Sequence, residues 1–171
     1  MTRQFLQTAA DARNSARELL QLIFASELLM PSRCLWIVSP WLRDVPVLDN
    51  STGSFLFLCP DFPRTEVRLS RVLRELLDRG TTVVIATRAD AGNRQVVDGL
   101  QGISRADAVV FHERAELHAK GIVGDRYSLL GSMNLTFNGL ERLTEMLVFQ
   151  NERGSVEQLR LAFRREYGGV A

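Results

Sequence analysis

Hydrophobic and polar positions change period several times along the chain, and each change marks an element. Between residues 2 and 30, Phe5, Leu6, Ala9, Ala12, Ala16, Leu19, Leu20, Ile23 and Phe24 recur mostly at three- and four-residue steps. That spacing predicts an N-terminal helix over 2–30 with one apolar face, stopped by Pro31-Ser32. Residues 34–39 form a short apolar run ended by Pro40, which predicts a strand buried on both faces. From Arg43 to Pro63 the prolines and the Asn50–Gly53 cluster predict a long loop, interrupted by an apolar patch at Phe55–Leu58.

Thr65 is placed to cap a helix whose Val67, Val72, Leu73, Leu76 and Leu77 share a side and which stops at Gly80. Its arginines (Arg64, Arg68, Arg71, Arg74, Arg79) make either a solvated face or a surface for nucleic acid or a partner. Residues 81–87 are β-branched and apolar, predicting a second buried strand, and 93–101 a short helix before Gly102. Further strands are predicted at about 107–111, 115–123, 127–131 and 144–149. Ser155 and Gln158 make a capping box for a last helix over 155–167. Strand, helix and strand in sequence require a parallel crossover. The expected fold class is therefore α/β, a mixed β-sheet flanked by helices on both faces, in a single domain over 1–171 with its core at 34–150.

Composition narrows the function classes. The 171 residues carry 46% hydrophobic and 24% charged positions and a formal net charge of +1, which excludes disordered, collagen-like and coiled-coil chains. No apolar run approaches the roughly 18 residues of a membrane span, and Arg3, Asp11, Arg13, Arg17 and Glu18 interrupt the N-terminal segment. A soluble cytoplasmic protein without a membrane partner is expected. Cys34 and Cys59 lack a CxxC or Cys/His ligand spacing, so two free buried thiols are expected. Every basic residue except Lys120 is arginine.

That lysine lies in the one stretch rich in candidate chemistry, residues 118–134, His-Ala-Lys-Gly through Gly-Ser-Met-Asn. On a strand, His118 and Lys120 point to the same side. A hairpin turning at Gly124-Asp125 would pair positions whose numbers sum to about 249 and set Gly131 and Ser132 across from His118 and Leu117. It gathers His118, Lys120, Ser132 and Asn134. An imidazole that can attack or donate a proton, a fixed cation and neutral donors for non-bridging oxygens suit a phosphodiester, and nothing in the set asks for a metal or cofactor. The pattern arises by accident on the order of once in a few hundred thousand such chains. Asp125 is expected to serve the hairpin turn, and His112, at the end of an apolar strand, to pack or to hydrogen-bond.

These residues resemble the motif of the phospholipase D superfamily: His-x-Lys, four residues, Asp, then Gly-Ser and Asn. His118, Lys120, Asp125, Gly131, Ser132 and Asn134 each match, and Asn134-Leu135-Thr136, Gly139-Leu140 and Glu145 are also similar to members. The resemblance implies that His118 attacks phosphorus to give a phosphohistidine, that Lys120 and Asn134 hold the phosphate with Ser132, and that Glu145 orients the imidazole, with Asp125 and Gly131 structural. Histidine catalysis near neutral pH independently calls for a carboxylate that fixes the tautomer. Leu143 departs from the polar Asn of many relatives.

With one His-x-Lys the chain holds half of a two-histidine site, so the resemblance implies a two-fold homodimer sharing that site. It further implies a metal-independent phosphodiesterase, most readily a nuclease acting on DNA rather than RNA. Within that group the chain looks like the small proteins encoded with bacterial DNA modification and restriction clusters of the 7-deazapurine type, where other proteins of a defence complex would be partners. Two other readings stay open. One is a phospholipid phosphodiesterase or phosphatidyltransferase, which needs an exposed apolar entrance such as the Phe55–Leu58 patch. The other is a non-catalytic nucleic-acid-binding subunit. Trp41 follows a buried strand, where it would touch substrate or simply pack.

Overall fold

A computed structural model of the chain describes residues 1–7, 12–100 and 105–170. Strand β2 (Cys34–Val38) is apolar at every position and no residue in it is more than 1% exposed. It lies inside a seven-stranded sheet with the order β1-β9-β8-β7-β2-β5-β6. The other strands of the sheet are β1 (Thr2–Gln7), β5 (Thr82–Thr87), β6 (Val109–Glu113), β7 (Gly121–Val123), β8 (Ser128–Gly131) and β9 (Glu145–Gln150). β2, β5 and β6 run parallel, while β7, β8, β9 and β1 pair antiparallel in turn. The sheet is mixed, as expected.

Alternate residues of β2 and β5 feed different cores. Leu35, Ile37, Val83 and Ile85 pack against α1 (Ala12–Leu29), α2 (Leu69–Asp78) and α3 (Ala91–Asp98). Cys34, Trp36, Val38, Val84 and Ala86 meet α5 (Arg153–Tyr167) through Phe163 and Tyr167, and the Trp36 indole donates to Gly168 O at 2.9 Å. Helices thus cover both faces, so continuous apolar strands are stable there. A short α4 (Phe137–Glu141) and a ribbon of β3 (Pro46–Asp49) and β4 (Glu66–Arg68) complete the elements used below. Both thiols are free and buried, and burial pushes each up to about 11.

The expected helix over 2–30 is corrected. Its first part is β1, paired to β9 from Thr2↔Gln150 to Gln7↔Glu145, and α1 starts at Ala12. Residues 8–11 lie outside the described residues, as do Gln101 and Gly102 at the end of the short helix expected over 93–101. A free strand edge outweighed helical spacing at Phe5 and Leu6. Buried Gln7 fixes the result by donating its amide to Gly139 O and Leu140 O, both at 3.1 Å.

Two caps also moved. Thr65 precedes β4, and α2 begins at Leu69, where Ser70 N and Oγ both donate to Asp44 at 2.8 Å. Glu152 instead of Ser155 caps α5, accepting from Gly154 N and Ser155 N. The long loop contains β3, and of the Phe55–Leu58 patch only Phe57 is exposed while the others pack on the core. Two arginines of the α2 region bind neighbouring backbone: Arg74 donates to Gly99 O, and Arg79 to the carbonyls of Leu28 and Leu58.

The strand expected over 115–123 shortens to β7, and its register with β8 differs from the expected one. Gly121 faces Leu130, Ile122 faces Leu129 and Val123 faces Ser128, so the turn is Asp125-Arg126. Gly124 N donates to Tyr127 O at 3.0 Å, and position 124 has no room for a side chain, which would meet Glu27, Ser32 and Tyr127 atoms at 2.8 Å. The shift is an even number of residues, and every side chain keeps its predicted face.

Candidate active site

At the far end of the β7–β8 hairpin from its turn, the chain carries His118, Lys120 and Asn134. His118 is exposed, and its ring takes no hydrogen bond from a described residue. Lys120 is partly buried and its ammonium donates to the His118 carbonyl at 2.8 Å. Burial pulls the Lys120 ammonium below the ordinary lysine range; the Glu145 carboxylate opposes that shift and Arg88 adds to it. Lysine's compact charge therefore feels both an anion and a second cation.

Glu145 opens β9 and is 6% exposed. The Ser132 hydroxyl donates to its Oε2, and Met146 N donates to Ser132 Oγ at 3.1 Å. A hydroxyl has one proton to give. In this arrangement the Ser132 proton goes to Glu145, so the hydroxyl links the motif to that carboxylate. The imidazole-orienting bond expected of Glu145 is not made within this chain. Gly131 is glycine for a steric reason, since a methyl group there would collide with the Met146 carbonyl oxygen. Asp125 lies at the opposite end of the hairpin, where it accepts from Arg33 N at 3.0 Å and pairs with Arg160 at 2.9 Å. It is structural. His112 bonds through Nε2 to Tyr167 O at 2.7 Å, which ties the second histidine to the α5 end.

Three residues at this site were not anticipated. Ser39, at the carboxyl end of β2, is buried, with its Oγ 3.4 Å from Asn134 Oδ1 and 2.7 Å from Trp41 O. Arg88, just beyond β5, donates to Leu117 O at 2.8 Å and lies 5.3 Å over the Trp41 ring. Both follow carboxyl ends of adjacent parallel strands, the position where α/β sheets place ligands, so that rule would have found them. Buried Asn93 has no such signal. Its amide donates to Pro40 O and Arg88 O while its Oδ1 accepts from Leu42 N, which fixes the Pro40–Leu42 turn.

Beside Asn134 an open cleft of about 440 Å³ is lined by Trp41, Arg43, Thr136, Phe137 and Leu143 among others. Trp41 is thus not simply packed; it forms a wall. Among the described residues no group of three or more His, Cys, Asp or Glu is placed to hold a metal ion, and no helix is long and apolar enough to cross a membrane.

The architecture matches solved structures at low identity. NucT from Helicobacter pylori superposes with a TM-score of 0.62 and 12% identity over 96% of this chain and 94% of that one. Nuc from Salmonella typhimurium, a phospholipase D family member, gives 0.59 and 16% over 96% and 93%. Phosphatidylserine synthase from Haemophilus influenzae gives 0.58 and 17% over 96% of this chain but 38% of its own. Likeness at this level shows the fold. No curated protein sequence matches the chain. The model of the family described as "Cardiolipin synthase, PLD-like domain" matches residues 45–167, well over half of the sequence, including the whole motif from His118 to Glu145. The chain therefore belongs to the phospholipase D-like family.

Proposed function

We propose that the chain is a metal-independent phosphodiesterase that cleaves nucleic acid, with its site completed by a second copy in a homodimer. The observation that carries this reading is the placement of exposed His118 with half-buried Lys120 and Asn134 at one end of the β7–β8 hairpin, where the Lys120 ammonium is near the buried carboxylate of Glu145. Lys120 and Asn134 hold the non-bridging oxygens and neutralise charge as it develops. A His118 ring nitrogen bonds to phosphorus as the bond to the leaving oxygen breaks. That oxygen takes a proton from the imidazolium of the second copy's His118. Water then returns a proton to that imidazole while its oxygen attacks phosphorus and the phosphorus–nitrogen bond breaks. The second histidine of this chain, His112, is bonded to Tyr167 O at the end of α5, which supports a second copy's His118 as the general acid.

Nuclease names among the structural neighbours of nearly equal length support nucleic acid as substrate. Resemblance to proteins of bacterial DNA restriction systems makes DNA the first substrate to try. The lipid reading is weakened at the Phe55–Leu58 patch, where only Phe57 is exposed and Phe55, Leu56 and Leu58 pack on the core. The test is incubation in EDTA with single-stranded DNA, duplex DNA, RNA and phosphatidylglycerol, beside His118→Ala and Lys120→Arg. Chelator-resistant cleavage of a nucleic acid, lost in both variants, is expected. Retained binding without cleavage would replace the enzyme by a nucleic-acid-binding subunit, and lipid turnover alone would replace the substrate. A monomer by light scattering at micromolar concentration would overturn the shared site.

A further inference from the structure

We infer that the cleft between Trp41 and Phe137 receives unpaired nucleobases, so that the site takes single-stranded nucleic acid in preference to duplex. The inference rests on the nuclease reading for its polymer, and adds the part of the polymer that this chain recognises. The cleft shares Asn134 with the motif, so whatever fills it is adjacent to a phosphate held there. Its two aromatic walls are open, Trp41 being 41% and Phe137 55% exposed. Each ring carries a guanidinium at 5.3 Å, Arg88 over Trp41 and Arg142 over Phe137.

The charges around the cleft are uneven. Arg43 is neutralised by Asp90 at 3.0 Å, whereas neither Arg88 nor Arg142 forms an ion pair with a described carboxylate. Two uncompensated cations braced on aromatic faces complement a chain that alternates phosphates with flat π surfaces. Bases in a duplex are already stacked and paired, so their faces are closed to these rings; an unpaired strand offers them. Arg88 also ties the wall to the motif through Leu117 O, the residue before His118. Lipid tails would gain nothing from guanidinium groups laid over the rings.

The test is binding by fluorescence anisotropy to the His118→Asn protein, which removes cleavage from the measurement. The probes are a labelled oligothymidylate, its duplex with oligoadenylate, and an abasic strand of the same length and charge. Oligothymidylate should bind tightest. Trp41→Ala and Phe137→Ala should each weaken it about 5- to 150-fold while changing abasic binding less than about twofold, and Trp41→Phe should restore most of the loss. Equal affinity for all three probes, or an equal loss on all three in Trp41→Ala, overturns the inference, as does binding confined to phosphatidylglycerol vesicles. Base-independent binding with EDTA-resistant cleavage would sink this inference and leave the nuclease. Base-dependent binding by wild type that cleaves nothing would do the reverse.

Discussion

Replacing Ser132 by alanine separates two roles that the motif alone does not distinguish. If the hydroxyl held substrate phosphate, its loss would raise KM and leave the free protein as stable as before. The geometry predicts the opposite order of effects. Ser132 donates to the Glu145 carboxylate, which is 6% exposed, so water cannot easily replace that donor. A hydrogen bond to a charged group contributes about 1.5–3 kcal/mol net, and the Met146 amide, being exposed, can turn to solvent at little cost. Ser132→Ala should therefore cost about 1.5–3 kcal/mol, which for a chain of this size lowers Tm by roughly 3–12 °C. Urea unfolding gives the free energy, and steady-state cleavage gives kcat and KM. With Glu145 released from its anchor beside Lys120, kcat should fall more than KM rises. A variant as stable as wild type with only KM increased would refute the positioning role and return Ser132 to the phosphate.

Gly131→Ala should destabilise by about 1–3 kcal/mol, because the added methyl meets Met146 O and must push β8 from β9; urea unfolding within about 0.5 kcal/mol of wild type would show that the strands yield freely. The lowered Lys120 pKa should bring the basic limb of the cleavage profile below the ordinary lysine value of about 10.4, since the ammonium is lost earlier as pH rises. Glu145→Gln removes the charge that opposes this shift and should move the limb lower still; a limb at or above the ordinary value contradicts the geometry. Backbone donors at the start of α5 hold Glu152 at about 2, so its folded value lies below its unfolded one. Its contribution is thus complete above about pH 5 and lost as pH falls toward 2. Thermal melts of Glu152→Ala should converge with wild type on acidification, and a constant offset would contradict the cap.

What was legible in the sequence divides by the range of the interaction that decides it. β2 and β5 were readable because burial on both faces leaves no polar position in Cys34–Val38 and few in the strand beside it. The chemistry was readable because His118 and Lys120 lie two residues apart and Asn134 follows within one hairpin. Elements decided by distant partners were not. β1 carries helical spacing, yet Gln7 finds the carbonyls of Gly139 and Leu140, 132 and 133 positions away. The cap of α2 comes from Asp44, 26 positions upstream, and no local rule reaches it.

The same division explains why the candidate residues still share a face despite a misplaced turn. Putting the turn one residue early moved every β7–β8 pair by two, and two is the period of a strand, so side chains kept their faces. An odd error would have turned Lys120 away from Glu145 and made the motif look incoherent. What the motif does not encode is its surroundings. Arg88, Ser39 and Asn93 reach the site from the ends of β2 and β5 and from α3, and most of their bonds go to backbone carbonyls, amides or a ring, with Ser39 alone also bonding to a motif side chain, that of Asn134. Such contacts leave no motif spacing to read, and only the strand-end positions of Ser39 and Arg88 signal them. Reactive groups at the site follow a pattern along the chain, and the residues that aim them follow the packing of the sheet.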